Sequence, residues 1–271
     1  MKILITAIVG TLFIAPSTTL AQATKDESGL SFALSSGLIS TPNYLGDDEQ
    51  KVIALPNLAI NYGDRFSASI DGVRYKVFSQ DGLHVGIVGA YHFGRKENPD
   101  DSPLVIDGGA SFDLIGLGDI DSTVELGSYV AFKHQQFSMR MEIRRGVKSG
   151  HNGIYGEIEA KHNTIVKVLG TSAFISVGPS VAFGDAAYVS TFFDVNAAQS
   201  AASGVSAHDA DGGLISIGLH TGVVTPLAKN TSLVSFANYD QLAGEVRNST
   251  LVEERGSRNQ VTAGLLLNYS F

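Results

Sequence analysis

Residues 136–145 read QFSMRMEIRR, and the pattern of this stretch decides the class of fold. Polar and apolar side chains alternate without a break from Gln136 to Arg144. Successive side chains of a β-strand point to opposite faces, so a period of two predicts a strand rather than a helix. One face of this strand is apolar and the other is polar. The apolar face carries Phe137, Met139, Met141 and Ile143.

The stretches on either side, 123–132 and 154–161, show the same alternation. Their polar faces, taken with that of 136–145, contain charges of both signs. Opposite charges on neighbouring strands pair across a sheet and contribute roughly 0.2 to 1 kcal/mol each. We predict that these charges share the inner face of one sheet, where they either hold the strands together or line a narrow pore. They are Glu125, Arg140, Glu142, Arg144, Glu157, Glu159 and Lys161.

Nine further stretches complete a set of twelve predicted strands. They are residues 30–39, 52–62, 66–70, 73–78, 83–93, 171–183, 214–225, 231–240 and 261–271. Short links such as 63–65 follow the even-numbered strands, whereas links such as 94–122 and 184–213 follow odd-numbered ones. Outer-membrane barrels have an even strand number, short periplasmic turns and longer outer loops. The sequence therefore predicts an all-β, antiparallel, up-and-down transmembrane barrel with both termini in the periplasm.

Two alternatives to this barrel stay open at the level of sequence. A secreted sandwich or a lipocalin-like barrel shows the same alternation with its apolar face turned inward. A ten-stranded barrel results if 66–70 and 73–78 stop short, since a spanning strand needs about 9 to 11 residues. For these two segments we predict a two-residue Asp71-Gly72 turn that pairs Ile70 with Val73.

The first 23 residues have the features of a secretory signal peptide. Lys2 precedes an apolar run, and Ala21-Gln22-Ala23 forms a small-x-small cleavage site. The barrel domain then covers residues 24–271, and the expected location is the outer membrane of a Gram-negative cell. The absence of cysteine excludes disulfide scaffolds and thiolate metal sites. A net charge of -8 with only 19 Lys and Arg argues against a nucleic-acid partner.

No stretch of the sequence carries a recognisable catalytic, cofactor or metal motif. His151 and His208 lie near serine and aspartate residues, but no motif places a nucleophile beside them, so we expect solvated loop residues. The acidic runs 47–49 and 100–101 lie in predicted outer loops, where their oxygen ligands could hold a Ca²⁺ or Mg²⁺ ion that bridges lipopolysaccharide phosphates. Their spacing matches no cation-binding loop, and a solvated acidic rim is the favoured interpretation.

Several short motifs, in order along the chain, resemble the MipA/OmpV family of outer-membrane proteins. They include Pro-x-Tyr-x-Gly at 42–46, LGDID at 117–121, GDAAY at 184–188, TFF at 191–193, Gly-Gly at 212–213 and VEERGSRNQ at 252–260. The resemblance covers most of the chain after residue 30. It implies an outer-membrane barrel without established catalytic residues.

The resemblance also implies partners. The best-known family member links a lytic transglycosylase to a penicillin-binding murein synthase in peptidoglycan growth. Outer-membrane lipid and lipopolysaccharide would surround such a barrel. A narrow channel for small solutes or ions is the alternative function. The last strand resembles the signal read by the barrel-assembly machinery, carried by Leu265, Leu267, Tyr269 and Phe271.

Overall fold

The computed structural model describes residues 29–98, 104–109, 111–168 and 170–271. The predicted signal peptide and the acidic pair at 100–101 lie outside these ranges. The strands are β1 (Leu30–Pro42), β2 (Gln50–Tyr62), β3 (Phe66–Ser69), β4 (Gly72–Gln80), β5 (Leu83–His92), β6 (Val105–Asp107), β7 (Thr123–His134), β8 (Phe137–Lys148), β9 (Ile154–Val168), β10 (Thr171–Gly184), β11 (Gly213–Ala228), β12 (Thr231–Leu242) and β13 (Asn259–Ser270). The helices are α1 (Ala186–Phe193), α2 (Ala197–Ser203), α3 (Gly244–Asn248) and α4 (Thr250–Arg255).

Twelve of the strands form one closed antiparallel barrel. Each of the twelve pairs with the next along the chain, and β1 pairs with both β2 and β13, which closes the ring. The short β6 lies outside the ring and pairs only with β2. The predicted twelve-stranded, antiparallel barrel is therefore confirmed, and the ten-stranded alternative is not.

Each strand of the ring except β3 and β10 carries at least one exposed large apolar side chain, and these side chains form the outer wall of the barrel. Phe137 is 63% exposed and Leu265 is 52% exposed, whereas Glu142 is only 5% exposed. Arg74 of β4 contacts Glu142 of β8 at 3.3 Å. Because β5 and β7 separate these two strands in the sheet, the contact crosses the interior. An apolar outer wall around a polar interior is the arrangement of a membrane barrel, not of a soluble sandwich.

Turns and long loops lie at opposite ends of the barrel. Short turns connect β2 to β3, β4 to β5, β7 to β8, β9 to β10 and β11 to β12. The pairing of Ala33 with Ser270 places the start of β1 and the end of β13 at this same end. β9 extends to Val168, through residues that the sequence pattern assigned to a turn. Within the described ranges, no helix has both the length and the apolar character needed to span a bilayer.

The predicted turn at Asp71-Gly72 is wrong, because the turn lies one residue earlier in the chain. Val73 pairs with Ala68, and Gly72 pairs with Ser69, so the turn consists of Ile70 and Asp71. Ile70 therefore lies in the turn and not on the lipid-facing side of β3. Its side chain packs against the buried cluster of Ile39, Ile53 and Leu55. The alternating sequence pattern could not locate the turn to within one residue. A shift of one residue in the turn places each neighbouring side chain on the opposite face of the sheet.

β6 covers part of a gap that the short β3 leaves in the barrel wall. β3 pairs with β2 only between Ile60 and Tyr62, so the outer half of β2 has no partner on that side within the ring. Val105 pairs with Ile53 there, and Ala54 donates its backbone N–H to the carbonyl of Leu104 at 2.7 Å. Unpaired backbone groups cost several kcal/mol each in a bilayer, which explains why the loop returns to this edge.

The last strand forms the seam of the barrel. β13 lies between β12 and β1, and the backbone N–H of Phe271 donates to the carbonyl of Phe32 at 2.9 Å. The rings of Tyr269 and Phe271 meet edge to face, with their centroids 4.9 Å apart. Leu265, Leu267, Tyr269 and Phe271 are all exposed on the outer wall.

We expect Met141→Arg to destabilise the barrel by about 2 to 4 kcal/mol, because it places a charge against lipid. Arg140→Met should cost less, since Glu142 keeps its contacts with Arg74 and Arg144. Equilibrium unfolding in lipid vesicles compares the two variants. A larger loss for Arg140→Met would contradict the orientation of the wall.

Deletion of Phe271 should lower the amount of folded protein in the outer membrane. The deletion removes the last backbone hydrogen bond to β1 and the ring contact with Tyr269 at the seam. Heat-modifiable migration on gels of isolated outer membranes measures the folded fraction. Phe132→Ala, on the same outer wall but on β7, is the matched control. Equal folded levels in the two variants would contradict a role of Phe271 in assembly.

Candidate functional site

One group of interior charges centres on Glu142. Its carboxylate lies 3.3 Å from Arg74, 3.4 Å from Arg144 and 3.8 Å from Arg140. Arg144 also lies 3.3 Å from Glu125, so one arginine connects two carboxylates. These contacts join strands β4, β7 and β8 across the lumen. The arrangement offsets much of the cost of burying the charges, and removing one partner would leave another unpaired.

A second group centres on His220 of β11. Its Nδ1 lies 2.8 Å from Glu159, and its Nε2 lies 3.1 Å from Asp240 and 3.0 Å from the hydroxyl of Ser180. Lys161 contacts Glu159 at 2.8 Å. Glu157 approaches Glu159 and His220 closely enough for their ligand atoms to lie within 4.8 Å of one another. Lys161 and His220 offset part of the negative charge of Glu157, Glu159 and Asp240.

Ser180, His220 and Glu159 contain the residue types of a catalytic triad, but the geometry does not favour catalysis. A general base needs an unprotonated ring nitrogen directed at the serine. Both nitrogens of His220 face carboxylate oxygens, and a carboxylate can only accept hydrogen bonds. His220 therefore donates from both nitrogens and has no lone pair for the proton of Ser180. The contacts of His220 link side chains of β9, β10, β11 and β12.

The two histidines of the predicted outer loops, His151 and His208, lie in different surroundings. His151 is buried, and its Nε2 lies 3.0 Å from Glu125, so the prediction of a solvated loop residue is wrong for His151. His208 pairs through its backbone with Val195 in the link between β10 and β11. Asp209 and Asp211 beside His208 are exposed.

The outer loops fold together into a cap, defined here as α1–α4 with the residues that link them, together with residues 43–49 and 111–120. The first of its two apolar clusters joins Tyr188 and Phe193 of α1 to Ile215 and Leu242 at the outer ends of β11 and β12. The second cluster joins α4 to three of the loops. Its members are Tyr44, Leu114, Leu117, Val195, Val205 and Leu251. All of these side chains are buried, so the cap is packed like a protein core.

α1 lies directly above the charged lumen. Asp185 caps the helix by accepting from the backbone N–H of Tyr188 at 2.8 Å, and the same carboxylate oxygen accepts from Ile154 at the start of β9. A Cβ atom on Gly153 would lie 2.1 Å from the backbone nitrogen of Tyr188, so only glycine permits this approach. Phe192 packs against the ring of His151, with centroids 5.7 Å apart.

Arg95 ties the cap to the wall. It is 7% exposed and donates to the backbone carbonyl of Phe192 at the end of α1. Its backbone pairs with Ile120 of the cap. Burial lowers the pKa of Arg95 to about 10, which leaves the guanidinium charged at neutral pH.

Three carboxylates converge in the cap. Asp47 and Asp48 belong to the link between β1 and β2, and Asp113 belongs to the loop before β7; their ligand oxygens all lie within 4.8 Å of one another. Asp48 is exposed, as expected for a solvated rim, but Asp47 is only 1% exposed, so that expectation is wrong for Asp47. Burial raises the pKa of Asp47 to about 6.

The sequence pattern treated 184–213 as a loop and missed its two helices. Their start signals are present: Asp185 precedes α1, and Asn196 with Gln199 forms a capping box at the start of α2. This signature is recognisable from sequence. The apolar pattern does not reveal the two helices, because segments of seven or eight residues are too short to show a clear helical period.

Comparison with solved structures returns barrels of bacterial outer membranes. OmpT of Vibrio cholerae is 9% identical, with 93% of this chain and 100% of that chain covered and a TM-score of 0.37. An outer-membrane channel from Pseudomonas putida F1 is 12% identical, with coverages of 90% and 96% and a TM-score of 0.44. An anion-selective porin from Comamonas acidovorans is 10% identical, with coverages of 89% and 98% and a TM-score of 0.32. At these TM-scores the likenesses carry no argument about function.

Comparison with protein families gives a specific result. No curated protein matches the chain significantly. The family model described as MltA-interacting protein MipA matches residues 34–271, which include all of the barrel strands except the start of β1. The match confirms the resemblance seen in the sequence motifs. This outer-membrane barrel therefore belongs to the MltA-interacting protein MipA family.

Proposed function

We propose that the protein lies in the Gram-negative outer membrane and binds a peptidoglycan enzyme at its periplasmic end. The family description, an MltA-interacting protein, supports this proposal. The partner would be a lytic transglycosylase, and a murein synthase would join it in a complex that coordinates peptidoglycan cleavage with synthesis. The observation that carries the proposal is the asymmetry of the barrel, which is capped at the outer end and has only short turns at the other.

The charges of the two ends support a periplasmic binding face. Exposed basic residues dominate the short turns of the described chain, and Asp64 and Asp81 are the exposed acids among them. The basic residues are Arg65, Lys133, Lys167 and Lys229. The cap and outer loops instead expose many acids, including Asp48, Glu49, Asp107, Asp119, Asp121, Asp209, Asp211, Glu253 and Glu254. A partner with an acidic surface would be guided to the basic end.

The short turns restrict how a partner could bind. A stable interface buries about 1,200 Å² or more, which is larger than one two-residue turn can offer. Several neighbouring turns would have to contact the partner together. Lys133 and Lys167 lie on consecutive hairpins, β7–β8 and β9–β10, and would fall within one such footprint.

Reversal of the charges of Lys133 and Lys167 should weaken binding of a purified lytic transglycosylase by about tenfold, equivalent to about 1.4 kcal/mol. Surface plasmon resonance on the folded, detergent-solubilised barrel measures the affinity of the Lys133→Glu/Lys167→Glu variant. Lys148→Glu, an exposed lysine at the outer end, is the matched control. Equal affinities for both variants would contradict the basic turns as the binding face. Absence of binding to the unaltered protein would reject the proposal itself.

The cap also bears on the alternative function, a narrow channel. Tyr188 and Phe192 pack over the lumen beside His151, where an ion path would have to leave the barrel. We therefore expect no steady conductance from the folded protein in planar bilayers. Steady conductance whose ion selectivity changes in Glu142→Gln would favour the channel over the scaffold.

A further inference from the structure

One of the three cap carboxylates has a buried oxygen atom without a well-formed hydrogen bond. The Oδ1 atom of Asp47 accepts from the backbone N–H of Glu49 at 2.9 Å, while its Oδ2 atom is buried and makes no hydrogen bond of regular geometry within the described chain, although the side chains of Asn43 and Ser111 lie close by. Ser111 donates to Asp113 at 3.3 Å. A buried anionic oxygen with no donor is costly, because burial has removed its water.

Asn43 provides a second and independent observation. Its side chain lies beside the Asp47 carboxyl group. Asn43 is 8% exposed; its amide nitrogen can only face the Asp47 carboxylate as a donor, whereas its amide oxygen makes no hydrogen bond within the described chain. A buried amide oxygen without a donor is unusual in a folded protein and calls for a ligand or an ion.

Two arginine side chains near the cluster donate to backbone carbonyls. Arg255 donates to the carbonyls of Asp113 and Ser203, and Arg95 donates to the carbonyl of Phe192. The strongest charge acting on Asp47 is that of Asp113, which is negative. Negative charge therefore gathers around the buried Asp47, with Asp113 half-buried and Asp48 exposed.

We propose that Asp47, Asp48, Asp113 and Asn43 bind a divalent metal ion, with Ca²⁺ as the best fit. The donors are carboxylate and amide oxygens, which suit a hard cation and not a soft one. Ca²⁺ accepts six to eight oxygen ligands in an irregular arrangement, and carboxylates bind it through one or both oxygens. The exposed side of Asp48 leaves room for water to complete the shell.

Such an ion would join two separate segments of the cap. Asp47 and Asp48 lie between β1 and β2, whereas Asp113 lies about seventy positions further along, beside Leu114 and Leu117 of the second apolar cluster. The first segment also contributes Tyr44 to that cluster. The ion would therefore hold the two segments together and stabilise the cap. This inference is independent of the proposed periplasmic partner.

Isothermal titration of the folded, chelator-treated barrel with CaCl₂ tests the site. We expect one saturable site, with an affinity that falls about tenfold or more in Asp113→Asn and in Asp48→Asn, since even residues outside the ligand shell of a metal change affinity by that much. Asp209→Asn, an exposed outer acid, is the control and should bind like the unaltered protein. No saturable binding of Ca²⁺ or Mg²⁺, or equal binding in all variants, would overturn the proposal.

Thermal unfolding provides a readout that does not depend on heat of binding. Ca²⁺ should raise the Tm of the unaltered protein, because a ligand that binds only the folded state stabilises it. Asp47→Asn removes a buried charge from a repulsive cluster, so we expect its Tm in chelator to stay level or rise while the response to Ca²⁺ disappears. If the variant instead has a lower Tm in chelator and Ca²⁺ raises its Tm as much as that of the unaltered protein, Asp47 has only a structural role. That result would overturn the proposal.

Discussion

The satisfaction of backbone hydrogen bonds within the bilayer is the constraint on which the rest of this structure depends. A lipid core offers no donors or acceptors, so a sheet that crosses it must close on itself. Pairing of β1 with β13 closes the ring, and β6 returns to the free edge of β2 where β3 is too short to cover it. The same need explains the contact of Ile70 N–H with the side chain of Asn57 at 3.1 Å.

Closure determines what the interior must contain. Twelve strands enclose a lumen too small for a wide pore but too large for backbone alone to fill, so side chains occupy it. Ion pairs around Glu142 and His220 connect strands that are not neighbours in the sheet, as Arg74 and Glu142 show. Charges of opposite sign therefore meet in the lumen, and the contacts of Glu142 and His220 reach other strands.

The two ends of the barrel follow different physical rules. Short turns at the periplasmic end leave little besides exposed charge, most of it basic. The outer loops are long enough to bury apolar surface of their own, and α1 brings Tyr188 and Phe193 into a cluster with β11 and β12. The barrel therefore has a packed cap at one end and only short turns at the other.

The sequence by itself determined the strands, their number, their apolar outer face and the end at which the long loops lie. Alternation as in 136–145 is local, so a single chain segment carries it. Only the tertiary structure decided the turn at Ile70-Asp71, the helices of the cap and the meeting of Asp47 with Asp113. These features depend on contacts between residues far apart in the chain. The burial that makes Asp47 a candidate metal ligand exists only after the loops have packed.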